Sequence, residues 1–144
     1  MEGGVISDNV NLTARVKALT KVYGVSFIIT QASYHRLEQP DQYAIRFLDR
    51  VQVHGKTEEL TLYEVYEGNP SELRNRKQAT LADFNEALNL YYAREFAAAQ
   101  ATLFGVLQRN PQDKAAWHHL MQATQALENG AAETWTGVTV MTAK

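Results

Sequence analysis

At Gly68-Asn69-Pro70 the chain changes character, and no single secondary-structure period runs through the break. Before it, apolar residues recur first at helical spacing, then in a β-branched run, then in alternation. After it the pattern is helical almost to the end. A glycine, a turn-forming amide and a proline in succession end regular structure. The chain therefore reads as a mixed α+β unit followed by an all-α segment. The boundaries expected are 1–68 for the first unit, 69–78 for a linker, 79–130 for the helices and 131–144 for a C-terminal tail.

In the first unit Asp8 is an N-cap for a helix from about Asn9 to Tyr23, with Leu12, Val16, Leu19 and Tyr23 on its apolar face and Gly24 as its stop. Val25-Ser26-Phe27-Ile28-Ile29 is a buried strand by its β-branched, apolar content. Thr30 caps a short helix running to about Leu37, which Gln39-Pro40-Asp41 breaks. From Tyr43 to Val53 the residues alternate, with a phase change near Leu48-Asp49. His54-Gly55-Lys56-Thr57 turns the chain into a second strand covered on both faces, Leu60 to Tyr66.

Beyond the break, Arg74 to Lys77 reads as a solvated basic linker. Ala82 to Ala93, Phe96 to Arg109 and Lys114 to Leu127 read as three helices. Phe96, Ala99, Leu103, Val106 and Pro111 resemble the second helix of a tetratricopeptide repeat, and Trp117 and Leu120 restart its W-x-x-L pattern. About one and a half such repeats leave apolar faces uncovered. The helices are expected to dock on the first unit or on another chain, with Trp117 largely buried. Trp135 to Met141 reads as a short strand.

Composition excludes several classes. The 144 residues are 45% hydrophobic and 21% charged, with a formal charge of −2, so no basic stripe suggests nucleic acid. No cysteine is present, which removes disulfides and thiolate chemistry and fits a reducing, cytoplasmic setting. No apolar run has the length of a membrane span. Met1-Glu2-Gly3-Gly4 lacks the basic start and apolar core of a signal peptide.

The chemistry lies near the N-terminus, in Ser7-Asp8-Asn9-Val10-Asn11-Leu12-Thr13-Ala14-Arg15. On a helix, Asn11 and Arg15 stack on one face, where an amide can orient a sugar hydroxyl while a guanidinium holds a phosphate. The string resembles the G-[DN]-x-V-N-x-[AS]-[AS]-R signature of class III nucleotidyl cyclases, and the resemblance runs from about Val5 to Tyr66. The tail, Trp-x-Gly-x-x-x-Met-x-x-Lys, is similar to the C-termini of cyanobacterial-type adenylate cyclases.

The resemblance implies the C-terminal half of a ferredoxin-like cyclase domain, with its front half outside this chain. It assigns Asn11 to orienting the ribose of ATP and Arg15 to the phosphates in the transition state. Leu48-Asp49-Arg50-Val51-Gln52-Val53-His54-Gly55-Lys56 resembles the family hairpin, whose V-K-G-K lysine reaches the triphosphate; here His54 takes that place and Lys56 keeps the second lysine. Two further departures are Ser7 for the signature glycine and Gly4 at the purine-reading position. The family's Mg2+ or Mn2+ ions sit on aspartates with no counterpart here, so no metal ligand is expected in this chain. A head-to-tail partner, a second catalytic domain, would supply them.

Asp41, Asp49, Asp83 and Asp113 read as isolated loop, cap or surface residues. His118 and His119, being adjacent on a helix, are expected to point apart and hold no metal. The aromatic residues at helical spacing, Tyr91 and Tyr92 among them, read as packing, with a partner-facing role for that pair as the alternative. Two functions compete. One is a portion of an adenylate cyclase, making cyclic AMP for signalling and inactive by itself. The other is a non-catalytic module that binds a protein partner through a degenerate half-domain and its helices. An upstream Phe-x-Asp metal motif in the parent gene would separate them.

Overall fold

The computed structural model describes residues 18–52 and 58–140. It is a mixed α+β fold: a four-stranded sheet with helices packed against it. The first helix, α1, is described over residues 18–23, and it places Leu19 and Tyr23 in the core. Gly24 ends it with φ +64, a conformation that L side chains rarely adopt. A Cβ at Gly24 would also stand only 2.4 Å from Cδ of Lys114.

Strand β1 (Ile28–Thr30) leads directly into α2 (Gln31–His35), whose first turn is capped by the Thr30 hydroxyl oxygen accepting from the Ser33 N–H. Pro40–Gln42 forms a 3-10 turn. Strands β2 (Ile45–Gln52) and β3 (Glu59–Val65) then pair antiparallel, and β1 pairs antiparallel with β3. The chain continues as α3 (Ser71–Tyr92), α4 (Phe96–Arg109) and α5 (Lys114–Asn129). The last strand, β4 (Thr139–Val140), runs parallel to β2, giving the order β1-β3-β2-β4.

The phase change expected near Leu48-Asp49 is a β-bulge. Phe47 pairs with Tyr63 and Asp49 with Leu62, so Leu48 has no cross-strand partner. Before the bulge Arg46 and Leu48 are buried; after it Asp49 and Val51 are. One extra residue thus turns two successive side chains inward and brings a carboxylate to the buried face. It also frees the Leu48 carbonyl from the ladder, and the buried His119 ring bonds it through Nε2 at 2.7 Å.

The segment 74–77, expected as a solvated linker, is helical: α3 already starts at Ser71. Its charges are not free. Arg74 donates to the Glu67 carbonyl, Arg76 pairs with Glu72 one turn earlier, and Lys77 is buried. The docking of the helices agrees with expectation. One continuous core joins Leu19, Tyr23 and Ile28, Leu48, Val51 and Leu62 of the sheet, and Phe84, Leu103, Val106 and Leu120 of the helices.

Trp117 departs from expectation. It is 46% exposed, although its indole N–H does donate to the Pro111 carbonyl at 3.0 Å. It projects from the outer face of α5 together with Met121, also exposed. The inner face carries Ala115, Ala116, Leu120 and Ala123, all buried. Small residues there let α5 approach closely, and no further helix among the described residues covers the outside.

Candidate functional site

Asn11, Arg15, His54 and Lys56, the residues singled out from the sequence, lie outside the described residues. The described part of α1 continues the helix predicted to carry Asn11 and Arg15. Its last turn is fixed twice: Leu19 and Tyr23 are buried, and the Tyr23 hydroxyl donates to Oδ2 of Asp49 at 2.5 Å. Burial first, and then the Asp49 charge, push the Tyr23 phenol far above its ordinary pKa, so it acts only as a donor.

Two buried polar groups flank the bulge of β2. The first is centred on Arg46. Its Nε donates to Oε1 of Glu64 at 2.6 Å, and its two terminal nitrogens form a fork onto Asp113 at 2.8 and 2.9 Å. Lys77 Nζ reaches the other Glu64 oxygen at 2.5 Å and Oδ1 of Asn69 at 2.8 Å. The guanidinium carbon also lies 4.1 Å from the centre of the Phe84 ring. Burial opposes the charge on Asp113, but the Arg46 hydrogen bonds and charge outweigh it and hold its carboxyl below the usual range. Asp113 was read as a cap, and it is one, accepting from the Ala116 N–H. It is also a buried ion-pair partner, 67 residues from Arg46 in the chain.

The second group is centred on Asp49, expected as a loop, cap or surface residue but buried within β2. Its Oδ1 accepts from the Arg50 N–H at 2.8 Å and the Tyr92 hydroxyl at 3.1 Å. Its Oδ2 accepts from Tyr23 and, at 2.9 Å, from the Thr139 hydroxyl. So Asp49 ties together α1, β2, the end of α3 and the tail. Tyr92, one of the aromatic residues expected to pack, faces inward onto it. His118 Nε2 lies 3.8 Å from Oδ2. Burial, then the neighbouring His119, lower the His118 pKa to about 4, leaving the ring neutral near pH 7. His118 and His119, although adjacent in sequence, both reach this carboxylate: one possible ligand atom from each of the three residues lies within 4.8 Å of the others.

A third feature is an open groove of about 460 Å³ between the sheet and α3, lined by Tyr34, Phe47, Tyr63, Arg50, Asn89 and Tyr92. The Tyr34 and Tyr63 rings stack at 4.1 Å, and Arg50 lies over the Tyr92 ring. Its arginine, asparagine and aromatic lining is suited to polar, planar groups.

Sequence reading missed both buried polar groups. Arg46 and Glu64 stand between apolar strand residues, Lys77 and Asp113 among polar ones, and nothing in a local window says which distant charge will meet them. The Asp49 site left one trace, the break in alternation at Leu48-Asp49.

No family profile matches the chain, and no solved structure does. Two relatives do. An adenylate cyclase of Anabaena cylindrica is 38% identical over 66 residues, 45% of this chain and 13% of the relative. The terminal-differentiation specific adenylate cyclase of Dictyostelium discoideum is 28% identical over 129 residues, 89% of this chain and 6% of the relative. The chain is related to adenylate cyclases. It spans only a small part of either relative's length. Among the described residues no helix is long and apolar enough to cross a membrane.

Proposed function

We propose that the chain is part of an adenylate cyclase, to which it contributes Asn11 and Arg15. The observation that carries this reading is the string Val10-Asn11-Leu12-Thr13-Ala14-Arg15 directly before a helix whose last turn is locked into the core by Leu19 and Tyr23. The relatives named adenylate cyclase support the same reading. A helix fixed at one end can hold an amide and a guanidinium in set positions, which phosphoryl chemistry demands of groups that stabilise developing charge.

In the reaction, the ribose 3′-oxygen of ATP attacks the α-phosphorus and loses its proton. The bond from that phosphorus to the bridging oxygen breaks, and pyrophosphate leaves with the electron pair. Asn11 orients the ribose, and Arg15 donates to the phosphate oxygens as negative charge builds. Lys56, with His54 beside it, contacts the triphosphate. Mg2+ or Mn2+, when bound, would supply the Lewis acidity for a reaction of this kind. They prefer clustered oxygen ligands. Among the described residues, the group of three potential ligands contains two imidazoles and does not fit them. Those ions are assigned to carboxylates of a second catalytic domain in a head-to-tail dimer.

The test is Arg15→Ala in the full-length parent enzyme. Turnover should fall by on the order of 3 kcal/mol in barrier, with KM little changed. Loss of affinity with turnover intact would remove Arg15 from the proposed role. The 144 residues expressed alone should make no cyclic AMP above a buffer control with either metal.

A further inference from the structure

Asp49 differs from the other buried carboxylates in what surrounds it. Glu64 and Asp113 are matched by Arg46 and Lys77. Among the described residues no lysine or arginine bonds to Asp49; its partners are three hydroxyls and a backbone N–H. A buried carboxylate without a cation is costly. Beside it, His118 Nε2 is fully buried and has no hydrogen-bond partner. A buried ring nitrogen left unbonded 3.8 Å from an uncompensated carboxylate marks a place for a cation.

We propose that Asp49, His118 and His119 form a binding site for a zinc ion. Two imidazoles and one carboxylate are a donor set that suits zinc, and they leave a fourth position for water. Ligand atoms around a tetrahedral zinc stand about 3.3 Å apart, given bonds of about 2.0–2.1 Å. The His118–Asp49 separation of 3.8 Å is close to this, and all three ligand atoms lie within 4.8 Å of one another. The surroundings are already in place. The Tyr23 and Tyr92 hydroxyls orient the carboxylate, and the Leu48 carbonyl at the bulge fixes the His119 ring. The ion would pin α5 to β2, and its charge would balance Asp49. None of these three is a residue proposed above for catalysis.

The experiment uses the whole chain carrying His35→Ala and His54→Ala, which removes the other two histidines. Metal-stripped protein is titrated with Zn2+ while heat release and Tm are followed. One ion should bind per chain, and Tm should rise by about 8 °C at free zinc a hundredfold above Kd. His118→Phe keeps the ring that packs edge-on against Tyr23 and removes the ligand. It should weaken binding more than tenfold. No binding, or equal affinity in His118→Phe, overturns the proposal. If that variant does not fold, X-ray absorption of the zinc complex decides. A coordination shell with two imidazoles supports the site, and one with none or a single imidazole overturns it.

Discussion

The two buried polar groups on either side of the β2 bulge solve the same problem differently. On the Arg46 side, two cations and two carboxylates neutralise one another and saturate most of their hydrogen-bonding capacity. On the Asp49 side, one carboxylate is held by hydroxyls and faces the neutral ring of His118. The first arrangement joins the sheet to α3 and α5 through charge, so removing one member leaves a buried charge unmatched. The second joins α1, the end of α3 and the tail through neutral donors, so each loss is smaller. A single inserted residue in β2 separates a closed charge network from one that is open to a further cation.

The largest expected effect breaks the first group. Arg46→Ala strands Asp113 and leaves Glu64 to Lys77 alone, and should cost about 4 kcal/mol in urea unfolding. A cost below that of Asp49→Asn would reverse the ranking of the two groups.

The pH dependence of the metal-free chain probes the second group. His118 titrates near its ordinary value of about 6.5 when unfolded but at about 4 when folded. As pH falls through this window the unfolded chain takes up a proton that the folded chain refuses. Stability should therefore fall between about pH 6.5 and 4, by on the order of 3 kcal/mol from this group, and level off for it below pH 4. Asp113, whose carboxyl is held low, loses its contribution at lower pH, as it protonates. His118→Phe should flatten the upper window and leave the acid limb in place. An unchanged upper window in that variant would assign the loss to other groups.

Asp49→Asn keeps one acceptor but removes the charge that strengthens the Tyr23 and Tyr92 hydrogen bonds. It should cost about 2 kcal/mol by denaturant midpoint. The smallest effect belongs to the outer face of α5. Trp117→Phe loses the bond to the Pro111 carbonyl and little packing, so about 1 kcal/mol is expected by thermal unfolding.

What was legible in the sequence follows the range of the forces involved. Thr30 as a cap, Gly24 as a stop and α4 from Phe96 to Arg109 are decided within a few residues, and the structure has them there. The bulge was legible because it breaks a period of two. The burial of Lys77 was not. Its basic neighbours signal solvent, and only the position of Glu64 on β3 reverses that reading. Trp117 shows the opposite error. Its spacing is that of a packed repeat, but packing needs a next helix, and spacing alone does not supply one. Asn11, Arg15, His54 and Lys56 fall outside the described residues, so the catalytic assignment rests on the motif and on the anchoring of α1.

Gly24 carries a mechanical consequence. It sits where α1 ends, and the side chain of Lys114, at the start of α5, occupies the space that any larger residue would need. The first turn of α5 is thus seated against the exit of α1, like a pawl against a ratchet tooth. A side chain added at position 24 would have to displace Lys114, so the exit of α1 and the start of α5 can change only together.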